Sequence, residues 1–147
     1  MIPDVNVLVA AVHATHIHHD TAAQWVLQMR GVSQQGIKQG SSITLAMPVI
    51  SGFLRLATHP KIFPNPATPE HAIGFIDWLL EDPNTRLIGQ TTEWQHFRTL
   101  ILSQKLHSND VPDAWLASLA LSLGEPFVTF DKGFRRLLPK SLLLLLK

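Results

Sequence analysis

An α/β fold, with a parallel sheet covered by helices on both faces, is what this sequence predicts. Short apolar runs such as "PFVTF" and "SLLLLLK" do not alternate with polar residues, the pattern of strands buried on both sides. Between such runs lie stretches with apolar residues at helical spacing, so strand and helix take turns along the chain. The 147 residues, 46% hydrophobic and 16% charged, are enough for a single core-bearing domain over 1–147 and argue against global disorder.

The elements follow in order. Residues 2–5 of "MIPDVNVLVAAV" read as a strand, followed at once by a helix through about residue 14. A second helix runs from His18 to about Gln28 and stops before Gly31. Residues 31–42 and 59–68 are rich in Gly, Ser, Asn and Pro and read as loops. "SITLA" (42–46) is a second strand, and Pro48 is placed to open a helix through about Ala57. Thr68-Pro69-Glu70 forms a cap and first turn, after which Ile73, Ile76 and Leu80 give one apolar face to about Glu81. "TRLIG" (85–89) is a third strand and 92–106 a helix. Asn109 or Asp110 opens the next helix, apolar nearly all round from Val111 to Leu123, and Gly124 ends it. "PFVTF" (126–130) is a fourth strand and the leucine run of 142–146 a buried fifth.

Several function classes fall away on composition. The chain has no cysteine, which removes disulfides, thiolate metal sites and a thiol nucleophile, and is compatible with the cytoplasm. No secretory signal is visible, since the N-terminus lacks a basic region and Asp4 interrupts its apolar run. The longest apolar run falls far short of the ~20 residues of a membrane span, so no membrane partner is expected. A formal charge of +1 and a pI near 8.2 neither demand nor forbid a nucleic-acid partner.

In an open parallel sheet, ligands bind at the carboxyl ends of the strands. Asp4 ends the first strand, Asp131 directly follows the fourth in "VTFDKGF", and Asp113 lies in the first turn of the apolar helix between them. Each has a plainer reading. Asp113 suits a helix dipole, with Asp110 as cap, and Asp131 suits a turn before Gly133. Asp4 is harder to explain structurally, because an isolated carboxylate among apolar neighbours is costly. Together the three acids make sense around a shared cation. Oxygen ligands without cysteine favour Mg²⁺ or Mn²⁺, which can polarise a phosphoryl oxygen and activate a bound water for phosphodiester hydrolysis.

The segments "IPDVNVLVAAV", "GFLRLATHP", "NDVPDAWLASLAL" and "FVTFDKGFRRL", in that order, resemble the PIN-domain family and, within it, the VapC-type toxins of toxin–antitoxin pairs. The resemblance spans nearly the whole chain. It implies a PIN-like three-layer sandwich, with a five-stranded parallel sheet of order 3-2-1-4-5 between helices. It also implies a Mg²⁺- or Mn²⁺-dependent endoribonuclease, an antitoxin protein as inhibitor and a homodimer. Asp4, Asp113 and Asp131 then correspond to the catalytic metal ligands, and Asn6 to a small polar residue supporting the site. One departure stands out: many members carry a glutamate on the helix after the second strand, and the matching position here falls near Ser51 or Gly52. A branch with a similar "GFLRLAT" segment also lacks it. The loss leaves a catalytically inactive PIN-like RNA- or protein-binding module as the alternative reading, and Asp110 as a candidate fourth carboxylate.

Other features carry less. Four of the eight residues of "HATHIHHD" are histidine, yet no zinc-ligand spacing is present, and His18 and His19 read as the start of a helix. Arg55 is placed to hold an acid or bind phosphate, and Lys132, with Arg135 and Arg136, to touch an RNA backbone. The four tryptophans sit in helical patterns and read as packing. A phosphotransfer enzyme of the HAD type wants a second aspartate two residues after the first, where Asn6 stands.

Overall fold

The computed structural model describes residues 1–31, 42–88, 93–106 and 110–147. Most of the predicted loop over 31–42 and the predicted helix-opening Asn109 lie outside them. Five strands are described: Ile2–Pro3 (β1), Thr44–Ala46 (β2), Arg86–Ile88 (β3), Phe127–Thr129 (β4) and Leu143–Leu145 (β5). The helices are Val5–Val12 (α1), His19–Met29 (α2), Met47–Ala57 (α3), Pro69–Leu80 (α4), Trp94–Gln104 (α5) and Asp110–Leu123 (α6). Two short 3-10 helices, Lys132–Arg136 and Lys140–Leu142, follow β4.

All described pairings are parallel. β4 lies between β1 and β5, with Pro3 opposite Val128 and Val128 opposite Leu144, while β2 pairs with β3. The two ladders meet where the Thr44 amide donates to the Met1 carbonyl at 2.8 Å, so the order across the molecule is 3-2-1-4-5. The expected fold class holds, with the sheet split into ladders of three and two strands.

The strands are two or three residues long rather than the four to six expected. The cause lies at their ends: Asp4 caps α1 immediately after β1, and α3 begins directly after Ala46 with Pro48 in its first turn. Val5, expected in the strand, therefore opens a helix. The terminal leucines are also less buried than expected. Ser141 and Leu142 fall in a 3-10 helix, and Leu143–Leu145 are half-buried, since β5 has only β4 beside it.

Because successive strand residues face opposite ways, the sheet separates two cores. Leu45 and Val128 face one built largely from α1 to α4, including Leu8, Trp25, Phe53 and Ile76. Ile2 and Phe127 face the other, with Leu100 of α5, Ala114 and Ala117 of α6, and Phe134. Gly124, at φ 65°, turns the chain out of α6 towards β4, a left-handed conformation that suits glycine. The chain thereby passes from α6 into β4, the strand that ends two residues before Asp131.

Candidate active site

The carboxyl edge of the sheet is organised by Thr129, the last residue of β4. Its hydroxyl donates to Asp4 Oδ2 at 2.6 Å and accepts from Asn6 Nδ2 at 3.1 Å and from the Asp131 amide at 2.9 Å. One side chain thus fixes three of the predicted site residues. Asp4 Oδ1 accepts from the Val5 amide at 2.6 Å, so the carboxylate sits at the positive end of α1. Asp131 is oriented by the Gly133 amide, which donates to its Oδ1 at 2.7 Å.

Asp4 is only 6% exposed. Burial pushes its carboxyl up to about 6, against the Thr129 hydroxyl and the Val5 amide, and the charges of Asp113 and Asp131 push it the same way. Asp113, in the first turn of α6, is also raised, first by burial and then by Asp131 and Asp110, with Arg136 opposing. Asp4 therefore feels the charges of two acids far from it in sequence, Asp113 and Asp131.

This donor set suits a hard divalent cation: oxygen ligands, mutual repulsion, and lone pairs left over on Asp4 after one hydrogen bond to each oxygen. Among the described residues no three His, Asp or Glu side chains close directly on one point. Any Mg²⁺ held here would therefore be bound by one or two of these carboxylates and completed by water. The histidines of "HATHIHHD" likewise form no three-ligand group among the described residues.

The remaining predicted residues are dispersed around this edge. Asp110 is bound by the Arg136 guanidinium, an ion pair that competes with any role as a fourth ligand. Lys132 is exposed at the start of the 3-10 helix after Asp131. Arg55 is exposed on α3 and has no ion-pair partner among the described residues. It lines a cleft of about 550 Å³ together with Ser51, Gly52, Glu93, Pro112 and Trp115, and Pro112 immediately precedes Asp113. A Cβ on Gly52 would stand 2.8 Å from Val5 Cγ2, so α3 packs directly on the residue that follows Asp4. The position of the expected glutamate is therefore beside the site, and no carboxylate grows from it.

Thr129 was not singled out by sequence. The signal was available, since alternation along a strand puts residues 129 and 131 on the same side. Arg136 as the partner of Asp110 had no sequence signal, because the contact joins a helix start to a 3-10 turn 26 positions away.

The PIN domain family model matches residues 1–137 of the chain. Ribonuclease VapC43 of Mycobacterium tuberculosis is 32% identical over 134 residues, covering 90% of this chain and 86% of that protein. Ribonuclease VapC48 of the same organism is 33% identical over 135 residues, covering 90% and 88%. In fold, the chain is similar to one in the crystal structure of VapBC2 from Rickettsia felis bound to a DNA fragment from their promoter. That match has a TM-score of 0.65 and 16% identity, and covers 99% of this chain and 98% of that one.

Proposed function

The chain belongs to the PIN domain family, alongside the VapC ribonucleases, and on that footing we propose that it is a metal-dependent endoribonuclease acting as the toxin of a toxin–antitoxin pair. The observation that carries the reading is that Asp4, which is buried, meets the charges of both Asp113 and Asp131 at the carboxyl edge of the sheet, although each acid also serves the start of a helix. Asp4 and Asp113 would hold Mg²⁺ or Mn²⁺, with Asp131 reaching it directly or through water. Bound there, the ion would polarise a phosphoryl oxygen and lower the pKa of a coordinated water.

The residues of the chain do the positioning. Thr129 and the Val5 amide fix the Asp4 carboxylate in one rotamer, and Asn6 holds the Thr129 hydroxyl so that its proton points at Asp4. The Gly133 amide sets the direction of Asp131. Arg55 and Lys132, both exposed near this edge, are placed to meet the phosphates of a bound RNA. The partner would be a cognate antitoxin protein, as the resemblance to VapC-type toxins implies. A homodimer and a cytoplasmic setting complete the reading.

The direct test is cleavage of single-stranded RNA with Mg²⁺ or Mn²⁺, repeated in excess EDTA and with D113N. Cleavage that needs the ion and disappears in the variant is expected. A folded D113N that cuts as fast as the parent overturns the assignment. Absence of both cleavage and site-specific Mn²⁺ binding in the parent protein favours a binding module that has lost its chemistry.

A further inference from the structure

The histidine-rich turn between α1 and α2 contains one ring whose environment differs from the others. His13 Nε2 lies 3.1 Å from the Ala57 carbonyl, and its ring stacks on Phe63. His19 Nδ1 lies 2.9 Å from the Ala10 carbonyl, and His16 Nδ1 accepts from the His18 amide at 3.1 Å. The ring nitrogens of His18 have no hydrogen bond among the described residues. Its imidazole instead lies nearly flat on Phe130, with centroids 4.2 Å apart and planes 15° from parallel.

Phe130 stands between Thr129, which holds Asp4, and Asp131. Alternation turns its side chain to the opposite side of the strand end from theirs, where it packs against the α1–α4 core. The stacked pair is thus anchored on the core through Phe130, the residue that directly precedes Asp131. The backbone of His18 is fixed as well, since its amide donates to His16 Nδ1 and its carbonyl accepts from the Ala22 amide at 3.0 Å. His18 and Phe130 are both half-buried, the His16 ring lies tilted beside His18 with centroids 5.8 Å apart, and the neighbouring Ile17 is 90% exposed.

Single-stranded RNA is recognised mainly by stacking unpaired bases on aromatic or imidazole planes, and a pre-positioned ring loses little entropy in doing so. We infer that His18, backed by Phe130, is a stacking platform for an unpaired base flanking the phosphate that sits at the acids. This rests on the ribonuclease reading and adds a substrate contact to it. His18 does no chemistry here; it positions the RNA.

The test compares the parent protein, H18A and H18F on one labelled single-stranded RNA and on a series of the same RNA with each base in turn removed. Binding is read by fluorescence anisotropy in EDTA at low salt, and KM and kcat in Mg²⁺. H18A should weaken binding and raise KM by about tenfold with kcat little changed, and H18F should restore both. Removing one particular base should cost the parent a similar factor and cost H18A nothing further, a coupling that loss of packing alone does not produce. If a melting curve shows H18A unfolded, H18Q, which loses the ring plane, takes its place. A parent protein that cuts RNA while H18A binds equally well, or while every base removal costs parent and variant alike, overturns the platform and leaves the ribonuclease reading intact. A parent protein that neither binds nor cuts RNA overturns both.

Discussion

At the amino edge of the sheet Glu125 lies between the Met1 amine, Thr44 and Arg86, while at the carboxyl edge Asp4 lies between Thr129 and two further acids. Both edges set a carboxylate beside a strand threonine, with Thr44 Oγ1 donating to Glu125 Oε2 at 2.6 Å and Thr129 Oγ1 to Asp4 Oδ2 at 2.6 Å. The surroundings then diverge. Burial pushes Glu125 up, but the Thr44 hydroxyl, the terminal amine and the Arg86 guanidinium outweigh it, and its pKa ends below the ordinary glutamate value. Asp4 meets the charges of Asp113 and Asp131 in place of cations, and its pKa rises. One edge is neutralised from within the chain. At the other, no cation of the chain offsets Asp4, which is what the proposed metal site requires.

Replacing Asp4 is the most severe way to break this contrast. Because metal-assisted stabilisation is worth several kcal/mol, D4N should lower RNA cleavage by about 1,000-fold or more, measured as kcat/KM in saturating Mn²⁺. The same variant should be more stable than the parent in EDTA at pH 8, by up to about 3 kcal/mol in urea unfolding, since it removes a buried charge whose pKa has moved from 3.8 to about 6. An acid that served only the fold would show the opposite sign in that second measurement.

The pH dependence sharpens the contrast without any mutation. Between the unfolded and folded pKa values of Asp4, from 3.8 to about 6, the folded chain holds more protons than the unfolded one. Its contribution therefore stabilises at low pH and is lost as pH rises through about 6. Urea unfolding in EDTA should show this loss, and added Mn²⁺ should reverse it above pH 6. Glu125 runs the other way: its pKa is lowered, so its contribution is present above the ordinary glutamate value of 4.5 and fades as pH falls below it. E125Q should accordingly lower stability by about 1 kcal/mol at pH 7 while leaving RNA cleavage unchanged. A loss of cleavage in E125Q at temperatures where it remains folded would mean that the two edges are not independent.

The two edges also differed in how far the sequence revealed them. Asp4, Asp113 and Asp131 were legible because each is an acid in an otherwise apolar or strand-ending setting, and the strand-end rule says where to look. The order of the sheet followed from the resemblance, and helix ends such as Thr68 before Pro69 and Gly124 after α6 followed from capping chemistry. The hubs were not legible. Thr44 and Thr129 look like ordinary strand residues, and their importance depends on which strands become neighbours. The Glu125 network joins residues from four places in the chain, from Met1 to Glu125, and no local pattern encodes it. Strand lengths were overestimated for a related reason: apolar runs do not show where Asp4 or Pro48 will start a helix.

The smallest expected effect concerns the ring of cations outside the acids. Lys132 follows Asp131 and is exposed, and among the described residues it has neither a hydrogen bond nor an ion pair. Arg136, four residues further on, is already engaged by Asp110 and has less freedom to meet a ligand. If the carboxyl edge receives an RNA backbone, Lys132 should contact a phosphate through charge alone, without reading sequence. K132A should then weaken binding by a few-fold, similarly for different RNA sequences, and reduce the slope of log affinity against log salt by about 0.7 for a single strand. Because the residue lies outside the Thr129 network, the melting temperature should not move. A flat salt dependence in the parent protein, or an unchanged slope in K132A, would place the RNA path elsewhere along this edge, with Arg55 as the next cation to test.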